Sequence, residues 1–407
     1  MYKSCKIALF LFLAVNAASF AFAQTQKFGA MGDSLTDEYS DQGNGGYATN
    51  WVTLLSVRHN LDFGSTGTWG EPRRNGYANN WARSGASSGD LIAESQPTGL
   101  LGQVQSNGVS LIVLEIGSDD FNPFLGSSST NAYVQIYNGS WAASTIKNYI
   151  SNNLNHIETA ISNFQNTSAN MVVADALDLG AVPLTSTLYS DATKRNRVTA
   201  AIQQEDDGIK RLAQKYGLPL ADTLAIEKAI FGPNENPSTT LLVGNTAIKL
   251  TQSDSNPTSQ PNRAAAFIQD GVHPHSNIQG LLANLFLEAM NEAYAANITL
   301  FTEREILGNS GLAYGGSDTL ISQIGSYSNY IVLPIHPKIT TLQFTNAAVK
   351  LNFTTVTNQT YAVETTTNLS AGWGTLTANI TGTGGSIQII DSSPKTPVRF
   401  YRVRQLP

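Results

Sequence analysis

Two short motifs combine residue types that could perform nucleophilic and acid–base chemistry. The first is Gly32-Asp33-Ser34-Leu35, near the start of the chain, and the second is Asp270-Gly271-Val272-His273-Pro274, far along it. A serine is a weak nucleophile at neutral pH, so it needs a positioned base that a third group orients. An aspartate and a histidine three residues apart on one loop can supply both functions. The alternative interpretation of the serine alone is a helix cap.

Metal and thiol chemistry find little support in the sequence. The single cysteine, Cys5, cannot form an internal disulfide or build a zinc site with other cysteines. His275 could join His273 as a pair of metal ligands, but no third ligand follows at a suitable spacing. We therefore expect neither a metal nor an organic cofactor.

The composition indicates how many domains to expect and which partners are disfavoured. The 407 residues include 24 Lys+Arg and 30 Asp+Glu, a formal charge of −6, and 41% of them are hydrophobic. No run of basic residues is present, which argues against nucleic acid as the main partner because phosphate binding requires clustered cations. A chain of this length and hydrophobicity favours two folded domains over one.

The first 23 residues have the pattern of a signal peptide. Lys3 and Lys6 precede an apolar run over 7–15, and Ala21-Phe22-Ala23 forms a small-residue cleavage site. The apolar run is too short for a stable membrane span, and no later segment approaches 18 consecutive apolar residues. We expect a secreted protein, extracellular or periplasmic, without an integral membrane segment in the mature chain.

The two motifs lie where an α/β fold would bring them together. Between residues 24 and 307 short apolar runs alternate with helical patterns, which is typical of a parallel sheet with crossover helices. The predicted strands are 27–31, 111–116, 171–176 and 218–221, and the clearest helix begins at Asn277. Parallel sheets bind ligands at the carboxyl ends of their strands, and Ser34 follows the first predicted strand closely.

The character of the chain changes after residue 307. Residues 308–337 are rich in Gly and Ser and predict a linker, whereas 338–407 contain six short strand patterns separated by turn residues. Six strands in about 70 residues fit a small β-sandwich. The predicted organisation is a signal peptide (1–23), a catalytic α/β domain (24–307), the linker and an accessory β-sandwich (338–407).

Gly-Asp-Ser-Leu near the start and Asp-x-x-His-Pro near the end of one domain resemble the first and last sequence blocks of the SGNH, or GDSL, hydrolases. The resemblance covers about 28–307 and implies a flavodoxin-like sheet of five parallel strands flanked by helices. It also implies an esterase or lipase in which Ser34 is the nucleophile, His273 the base and Asp270 its partner.

The same resemblance assigns an oxyanion hole and exposes one departure from the family. Gly85 lies five residues after Asn80, as the family's second block requires, so its N–H and that of Ser34 are the expected donors. The family's third block has an asparagine where this chain has Asp119, in Gly117-Ser118-Asp119-Asp120. An ionised aspartate can only accept hydrogen bonds. Three alternatives follow: burial keeps Asp119 protonated, Asp119 turns aside while Asn122 or a water replaces it, or activity is reduced. We expect Asp119 to border the oxyanion hole.

The sequence predicts an ester substrate but identifies neither its acyl group nor its alcohol. The candidate substrate-contacting residues are Tyr47, Trp51, Trp81 and Asn122, and core packing is the alternative for each aromatic one. The C-terminal strands resemble modules appended to secreted polysaccharide enzymes, with Trp373 as a candidate for glycan contact. This addition favours deacetylation of a carbohydrate ester over lipid hydrolysis. The alternative function is an exported glycan-binding or adhesion protein whose hydrolase fold is catalytically weak or inactive.

Overall fold

The fold is taken from a computed structural model that describes residues 26–39, 46–256, 262–335, 337–344, 348–357, 359–370, 372–392 and 398–406. The predicted signal peptide lies outside the described residues. Within them, no helix combines the length and the apolar composition that crossing a membrane requires.

The described residues contain sixteen β-strands and eleven α-helices. The strands are β1 (Lys27–Gly32), β2 (Thr66–Gly70), β3 (Arg74–Tyr77), β4 (Val109–Glu115), β5 (Asn170–Ala174), β6 (Leu220–Ala221), β7 (Thr240–Val243), β8 (Thr246–Ser253), β9 (Ala265–Phe267), β10 (Ile331–Val332), β11 (Ile339–Phe344), β12 (Val349–Thr354), β13 (Thr360–Thr366), β14 (Gly374–Thr381), β15 (Ser386–Asp391) and β16 (Phe400–Leu406). The helices are α1 (Trp51–His59), α2 (Ser88–Ala93), α3 (Gln96–Asn107), α4 (Ala132–Tyr137), α5 (Ala143–Ser162), α6 (Pro183–Leu188), α7 (Ala192–Tyr216), α8 (Thr223–Phe231), α9 (Ser276–Tyr294), α10 (Glu303–Asn309) and α11 (Ile321–Ile324).

A five-stranded sheet forms the centre of the α/β region, in the order β1-β4-β5-β6-β10. The first four strands are parallel, and β10 pairs antiparallel to β6. The predicted five-stranded sheet flanked by helices is confirmed, with the edge strand reversed. This edge strand comes from the segment predicted as a linker, which also buries Leu320, Ile324 and Tyr327 in the main core. Residues 308–335 therefore pack as part of the α/β region rather than as an open connector.

The central strands are buried on both faces because helices cover each side of the sheet. Along β4, Leu111 and Val113 join the core beneath α1 and α9, whereas Ile112 and Leu114 join the core beneath α5 and α7. This alternation follows from the two-residue side-chain period of a strand. The sheet is thus a fixed platform, and the loops at its carboxyl edge carry the polar residues described below.

Helix α9 is more deeply buried than its predicted apolar face required. Its residues 276–287 are all buried, including three amides, Asn277, Gln279 and Asn284. Each amide has hydrogen-bond partners; Asn284, for example, accepts the N–H of Phe301 at 2.7 Å and donates to its carbonyl at 2.8 Å. The helix begins directly after the Asp270–His273 motif, so its burial anchors that loop.

The C-terminal strands form two antiparallel three-stranded sheets, β11-β12-β15 and β14-β13-β16. They enclose a small core of Leu351, Phe353, Tyr361 and Val363. This arrangement confirms the predicted β-sandwich. The sandwich contacts the α/β region through Gln405, whose amide donates to the last carbonyls of α7 at Gln214 (2.7 Å) and Lys215 (3.1 Å).

Candidate active site

The turn that carries Ser34 starts at a glycine that no other residue could replace. A Cβ on Gly32 would lie 2.1 Å from the carbonyl oxygen of Glu115 on the neighbouring strand. The buried amide of Gln96 accepts from the Gly32 N–H at 3.0 Å and donates to the Gly32 carbonyl at 3.1 Å. The end of β1 is therefore fixed on both sides before the chain turns.

Hydrogen bonds within the turn then direct Ser34 toward the surface. The Asp33 carboxylate accepts the Leu35 N–H at 2.9 Å, and the Asp33 carbonyl accepts the Asp37 N–H at 2.9 Å. Thr36 donates its hydroxyl to the Glu115 carboxylate at 2.9 Å. Ser34 is 9% exposed, and its hydroxyl makes no hydrogen bond with any described residue. The hydroxyl is therefore free to meet a ligand.

Asp270 and His273 form a close pair on the loop before α9. The two side chains approach to 2.6 Å between Oδ2 and Nδ1. The other carboxylate oxygen accepts the N–H groups of Val272 (2.8 Å) and His273 (3.0 Å). Burial raises the pKa of Asp270, but the hydrogen bond and charge of His273 and the two N–H groups outweigh it, so the pKa lies below its ordinary value. Asp270 is thus an ionised partner that fixes the ring.

Two further residues, Ile268 and Tyr39, hold the His273 loop in place. The His273 carbonyl accepts the N–H of Ile268 at 2.9 Å. Tyr39 presents its ring edge to the imidazole with 5.6 Å between centroids, and its hydroxyl donates to the Pro274 carbonyl at 3.1 Å. The Tyr39 hydroxyl in turn accepts from the buried Gln279 amide at 2.6 Å. The imidazole is therefore held both by its own loop and by helix α9.

Ser34 and His273 line one small pocket of about 10 Å³. That volume holds about one water-sized group, which suits a carbonyl oxygen or an attacking water. Among the described residues, no hydrogen bond joins the Ser34 hydroxyl to the imidazole; such contacts are often longer in a free enzyme than in its substrate complex. The complete lining is Asp33, Ser34, Leu35, Ser118, Asp119, Asn122, Leu179, Val272 and His273.

Asp119 lies in this pocket, within the 3₁₀ helix Ser118–Phe121 that follows β4. Its Oδ1 accepts the Asn122 amide at 2.6 Å, whereas its Oδ2 is buried without a hydrogen-bond partner among the described residues. Burial raises the pKa of Asp119 to about 6, although the Asn122 hydrogen bond and the charge of His273 act in the opposite direction. The unpaired oxygen is therefore a site for a proton below about pH 6.

Other buried carboxyl groups near Asp119 also have pKa values that burial raises. Burial, aided by the charge of Glu115, raises the pKa of Asp33 well above its ordinary value, and burial raises that of Glu115 to about 8. Burial also raises the pKa of Asp120 to about 7, although both oxygens of Asp120 accept from Ser88 at 3.0 Å. Negative charge is thus disfavoured beneath the nucleophile.

Gly85 lies on a loop that two hydrogen bonds bring beside the Ser34 turn. Arg83 donates its N–H to the Gly32 carbonyl at 3.0 Å, and Ser84 donates its N–H to the Asp37 carboxylate at 2.9 Å. Gly85 has φ +84° and faces open space. Among the described residues, no acceptor is found for the N–H of Ser34 or of Gly85. Gly85 does not line the pocket that contains Ser34 and His273.

The residues that the sequence predicted to contact the substrate lie in different environments. Trp51 is fully buried, packs against Phe286 at 4.8 Å and donates its indole N–H to Thr36 at 3.0 Å, so it has no surface for a substrate. The expectation of substrate contact by Trp51 is therefore corrected to a core role. Asn122, in contrast, lines the pocket beside Asp119.

Tyr47 and Trp81 are half-buried, and each lies against an arginine. The Arg263 guanidinium is 3.8 Å from the centre of the Tyr47 ring, and that of Arg73 is 4.5 Å from the Trp81 ring. Neither aromatic residue lines the pocket with Ser34. The structure therefore does not bring these two residues together with the nucleophile.

His275 serves the protein core. It is fully buried, with Nδ1 3.1 Å from the Ser310 hydroxyl and Nε2 3.4 Å from the Asp254 carboxylate. Burial lowers the pKa of His275 to about 4, although Asp254 opposes the shift. Across the described part of the chain, no group of three His, Cys, Asp or Glu residues is arranged to hold a metal ion.

Two positioning residues escaped sequence reasoning. Gln96 is a single amide at the start of α3, and Glu115 ends a strand after four consecutive apolar residues. The polar end of a buried strand was a usable signal for Glu115. No sequence signal marked Gln96, because its contact with Gly32 depends on how α3 packs against β1.

The sequence matches one family model and has distant structural likenesses. The family described as GDSL-like lipase/acylhydrolase matches residues 28–286. A search of curated protein sequences gives no match. The chain is similar to an extracellular lipase from Streptomyces rimosus (16% identity, 66% of this chain and 99% of that one, TM-score 0.38). It is also similar to an acetylxylan esterase from Geobacillus stearothermophilus (15% identity, 65% and 94%, TM-score 0.36).

The family match spans more than half of the chain and contains both the Gly32–Leu35 and the Asp270–Pro274 motifs. The first motif lies at the end of β1 and the last precedes α9, and Ser34 and His273 line the same pocket. The chain therefore belongs to the GDSL-like lipase/acylhydrolase family and is an ester-bond hydrolase.

Proposed function

We propose that the protein hydrolyses carboxylic esters through a triad of Ser34, His273 and Asp270. The observation that carries the proposal is the 2.6 Å contact between Asp270 and His273, with the imidazole lining the same pocket as the Ser34 hydroxyl. A serine, a base and an orienting carboxylate in this order are the parts that acyl transfer requires.

The reaction proceeds in two stages. The Ser34 oxygen attacks the ester carbonyl carbon while His273 Nε2 takes the hydroxyl proton, and the ionised Asp270 stabilises the imidazolium. The tetrahedral intermediate collapses, the alcohol leaves with the proton from His273, and an acyl-serine remains. Water then attacks the acyl-serine by the same proton path, which releases the acid and restores Ser34.

The negative charge of the tetrahedral intermediate needs donors. The free N–H groups of Ser34 and Gly85 are two of them, and we propose protonated Asp119 as the third. The buried, unpaired Oδ2 of Asp119 supports this assignment, since its proton has no other acceptor among the described residues. Once ionised, Asp119 can only accept and repels the oxyanion. Activity therefore requires Asp119 protonated and His273 neutral.

We further propose that the mature protein is exported and that the alcohol part of its ester is a carbohydrate. The signal-peptide pattern of residues 1–23 supports export. The C-terminal β-sandwich supports a glycan substrate through Trp373, a half-buried side chain with the Arg402 guanidinium 4.4 Å from its ring centre. The uncovered part of that ring is available for a sugar.

Replacing the proposed nucleophile tests the triad directly. Ser34→Ala is expected to lower kcat for p-nitrophenyl acetate at least about 10⁴-fold. Ser56→Ala, on helix α1 away from the pocket, is the matched control and should keep wild-type turnover. Full activity in Ser34→Ala would refute the triad. Tight glycan retention with no hydrolysis of any ester by the wild type would support the alternative of an inactive binding protein.

A further inference from the structure

An apolar cavity of about 60 Å³ lies beside the catalytic pocket. Seventeen residues line it, and fourteen of them are apolar. Leu35, Leu179 and Val272 line both the cavity and the catalytic pocket. The first of these follows Ser34 and the last precedes His273. The cavity therefore adjoins the catalytic pocket and lies in the core between α8 and α9.

The three polar side chains in the cavity wall are already engaged elsewhere. Asp178 accepts the Gly180 N–H at 2.7 Å, and Glu227 accepts the Asp178 N–H at 2.7 Å. Gln279 accepts the Trp51 N–H at 3.0 Å and donates to Tyr39 at 2.6 Å. A polar ligand group entering the cavity would leave its own hydrogen-bonding atoms unpaired, which costs free energy. The cavity therefore selects hydrocarbon.

The volume limits the hydrocarbon to a short chain. An apolar cavity of about 150 Å³ stays dry and accommodates benzene, which corresponds to about 25 Å³ for each carbon atom. By that measure a cavity of 60 Å³ has room for two or three carbon atoms. An acetyl group, whose methyl carbon is attached directly to the carbonyl, would leave most of the cavity empty.

We propose that this cavity binds the hydrocarbon tail of the acyl group, so that the enzyme prefers acyl chains of about four carbons over acetyl and over chains of eight or more. The proposal rests on the proposed function, because it requires the acyl carbonyl at Ser34. The sequence favoured deacetylation, whereas the cavity favours a longer acyl group.

The alcohol part of the ester does not fit the same space. A sugar ring exceeds 60 Å³ and carries hydroxyl groups that the wall cannot pair. The side chain of His273, which returns the proton to the leaving alcohol, is 16% exposed, and that of its partner Asp270 is 36% exposed, so the alcohol can leave toward solvent. The acyl tail is therefore directed inward and the alcohol outward.

A series of p-nitrophenyl esters, with the leaving group held constant, measures the acyl preference. Each methylene buried in an apolar site contributes about a fourfold gain, so butyrate should exceed acetate in kcat/KM by about 15-fold. Octanoate should have a lower kcat/KM than butyrate, because its additional carbons exceed the cavity. Acetate equal to or better than butyrate would overturn the proposal.

Opposite substitutions at one wall position provide the structural test. Ile230 is a buried residue of α8 that lines the cavity and touches no proposed catalytic group. Ile230→Phe fills the cavity and should reduce the butyrate-to-acetate ratio to about 1–3, whereas Ile230→Ala enlarges it and should move the optimum to hexanoate. Ile209→Ala removes the same side chain from the other core and should keep the wild-type ratio.

Acetate hydrolysis serves as the check on folding in every variant. If Ile230→Phe does not fold, Ala181→Leu fills the cavity from its rim and should give the same loss of preference. A wild-type butyrate preference in the filled variants would show that the cavity is a packing defect. Absence of Ser34-dependent hydrolysis of every ester would refute the proposed function and this inference together, whereas retained acetate activity without an acyl preference refutes the inference alone.

Discussion

Asp119 is the residue at which this chain departs from its family's pattern. An asparagine at this position would donate from its amide at any pH, whereas an aspartate donates only when protonated. The surroundings favour the proton: Oδ1 is occupied by Asn122, Oδ2 is buried and unpaired, and burial raises the pKa to about 6. At the residue scale, the third oxyanion donor that we propose is therefore one that depends on pH, whereas an asparagine would donate permanently.

We expect Asp119→Asn to extend activity to higher pH. At pH 8, two units above a pKa of about 6, only about 1% of wild-type molecules retain the Asp119 proton, so kcat/KM should fall about 100-fold from its maximum. The asparagine variant should lack this decline. Ester hydrolysis between pH 4.5 and 9 measures both profiles.

Asp90→Asn provides a matched control, since Asp90 also raises the pKa of Asp119 but lies on the exposed face of α2. It should shift the alkaline limb only slightly. Identical pH profiles for the wild type and Asp119→Asn would contradict the role of the Asp119 proton.

At the element scale, the loops at the carboxyl edge of the sheet position the site. The approach of Ser34 to the Asp270–His273 pair was predictable because each residue lies in a compact motif next to a recognisable strand or helix. Gln96 was not predictable, because its two bonds to Gly32 join α3 to β1 across 64 positions of sequence. For Trp51 the sequence left substrate contact and core packing open, and the structure shows core packing, because the side chain packs from α1 against α9.

Removing the Gln96 amide should destabilise the end of β1. Gln96→Ala leaves the buried Gly32 N–H without its amide acceptor and removes one of the two donors to the Gly32 carbonyl, so we expect the free energy of unfolding to fall by about 1–3 kcal/mol. Urea denaturation measures this change. Gln204→Ala, on the exposed face of α7, should change the free energy by less than about 0.5 kcal/mol. Equal effects of the two substitutions would show that the Gly32 contact is not structural.

The whole molecule combines an α/β region with a β-sandwich, and the strand patterns predicted both. The antiparallel edge strand β10 was missed because two residues carry too little periodicity to distinguish a strand from a linker. Its position depends on the burial of Ile324 and Tyr327 against α9, which is a tertiary contact. Local pattern thus predicted the layers, whereas the edges of the layers required packing information.

Stability of the whole protein should fall as the pH rises above about 5. Burial raises the pKa of many carboxyls, among them Glu38 and Asp120 to about 7 and Glu115 to about 8. For such groups the folded state binds more protons than the unfolded state. Their contribution to the free energy of unfolding is therefore complete below the pKa of the unfolded state and is lost as the pH rises through the pKa of the folded state. We expect the free energy of unfolding to be at least about 2 kcal/mol lower at pH 8 than at pH 5.

Urea denaturation at the two pH values tests this expectation. Glu115→Gln removes one of the titrating groups and should reduce the difference between pH 5 and pH 8. A free energy of unfolding that rises over this range would show that the buried carboxyls are ionised in the folded protein.

Covalent labelling identifies the nucleophile more directly than any rate. The wild type is treated with a fluorophosphonate, digested, and analysed by mass spectrometry for the modified peptide. The account predicts a single phosphonylated residue, Ser34, with labelling abolished in Ser34→Ala and slowed in His273→Ala because the base is missing. Labelling at another serine, or undiminished labelling of Ser34→Ala, would contradict the assignment of Ser34 as the nucleophile of this hydrolase.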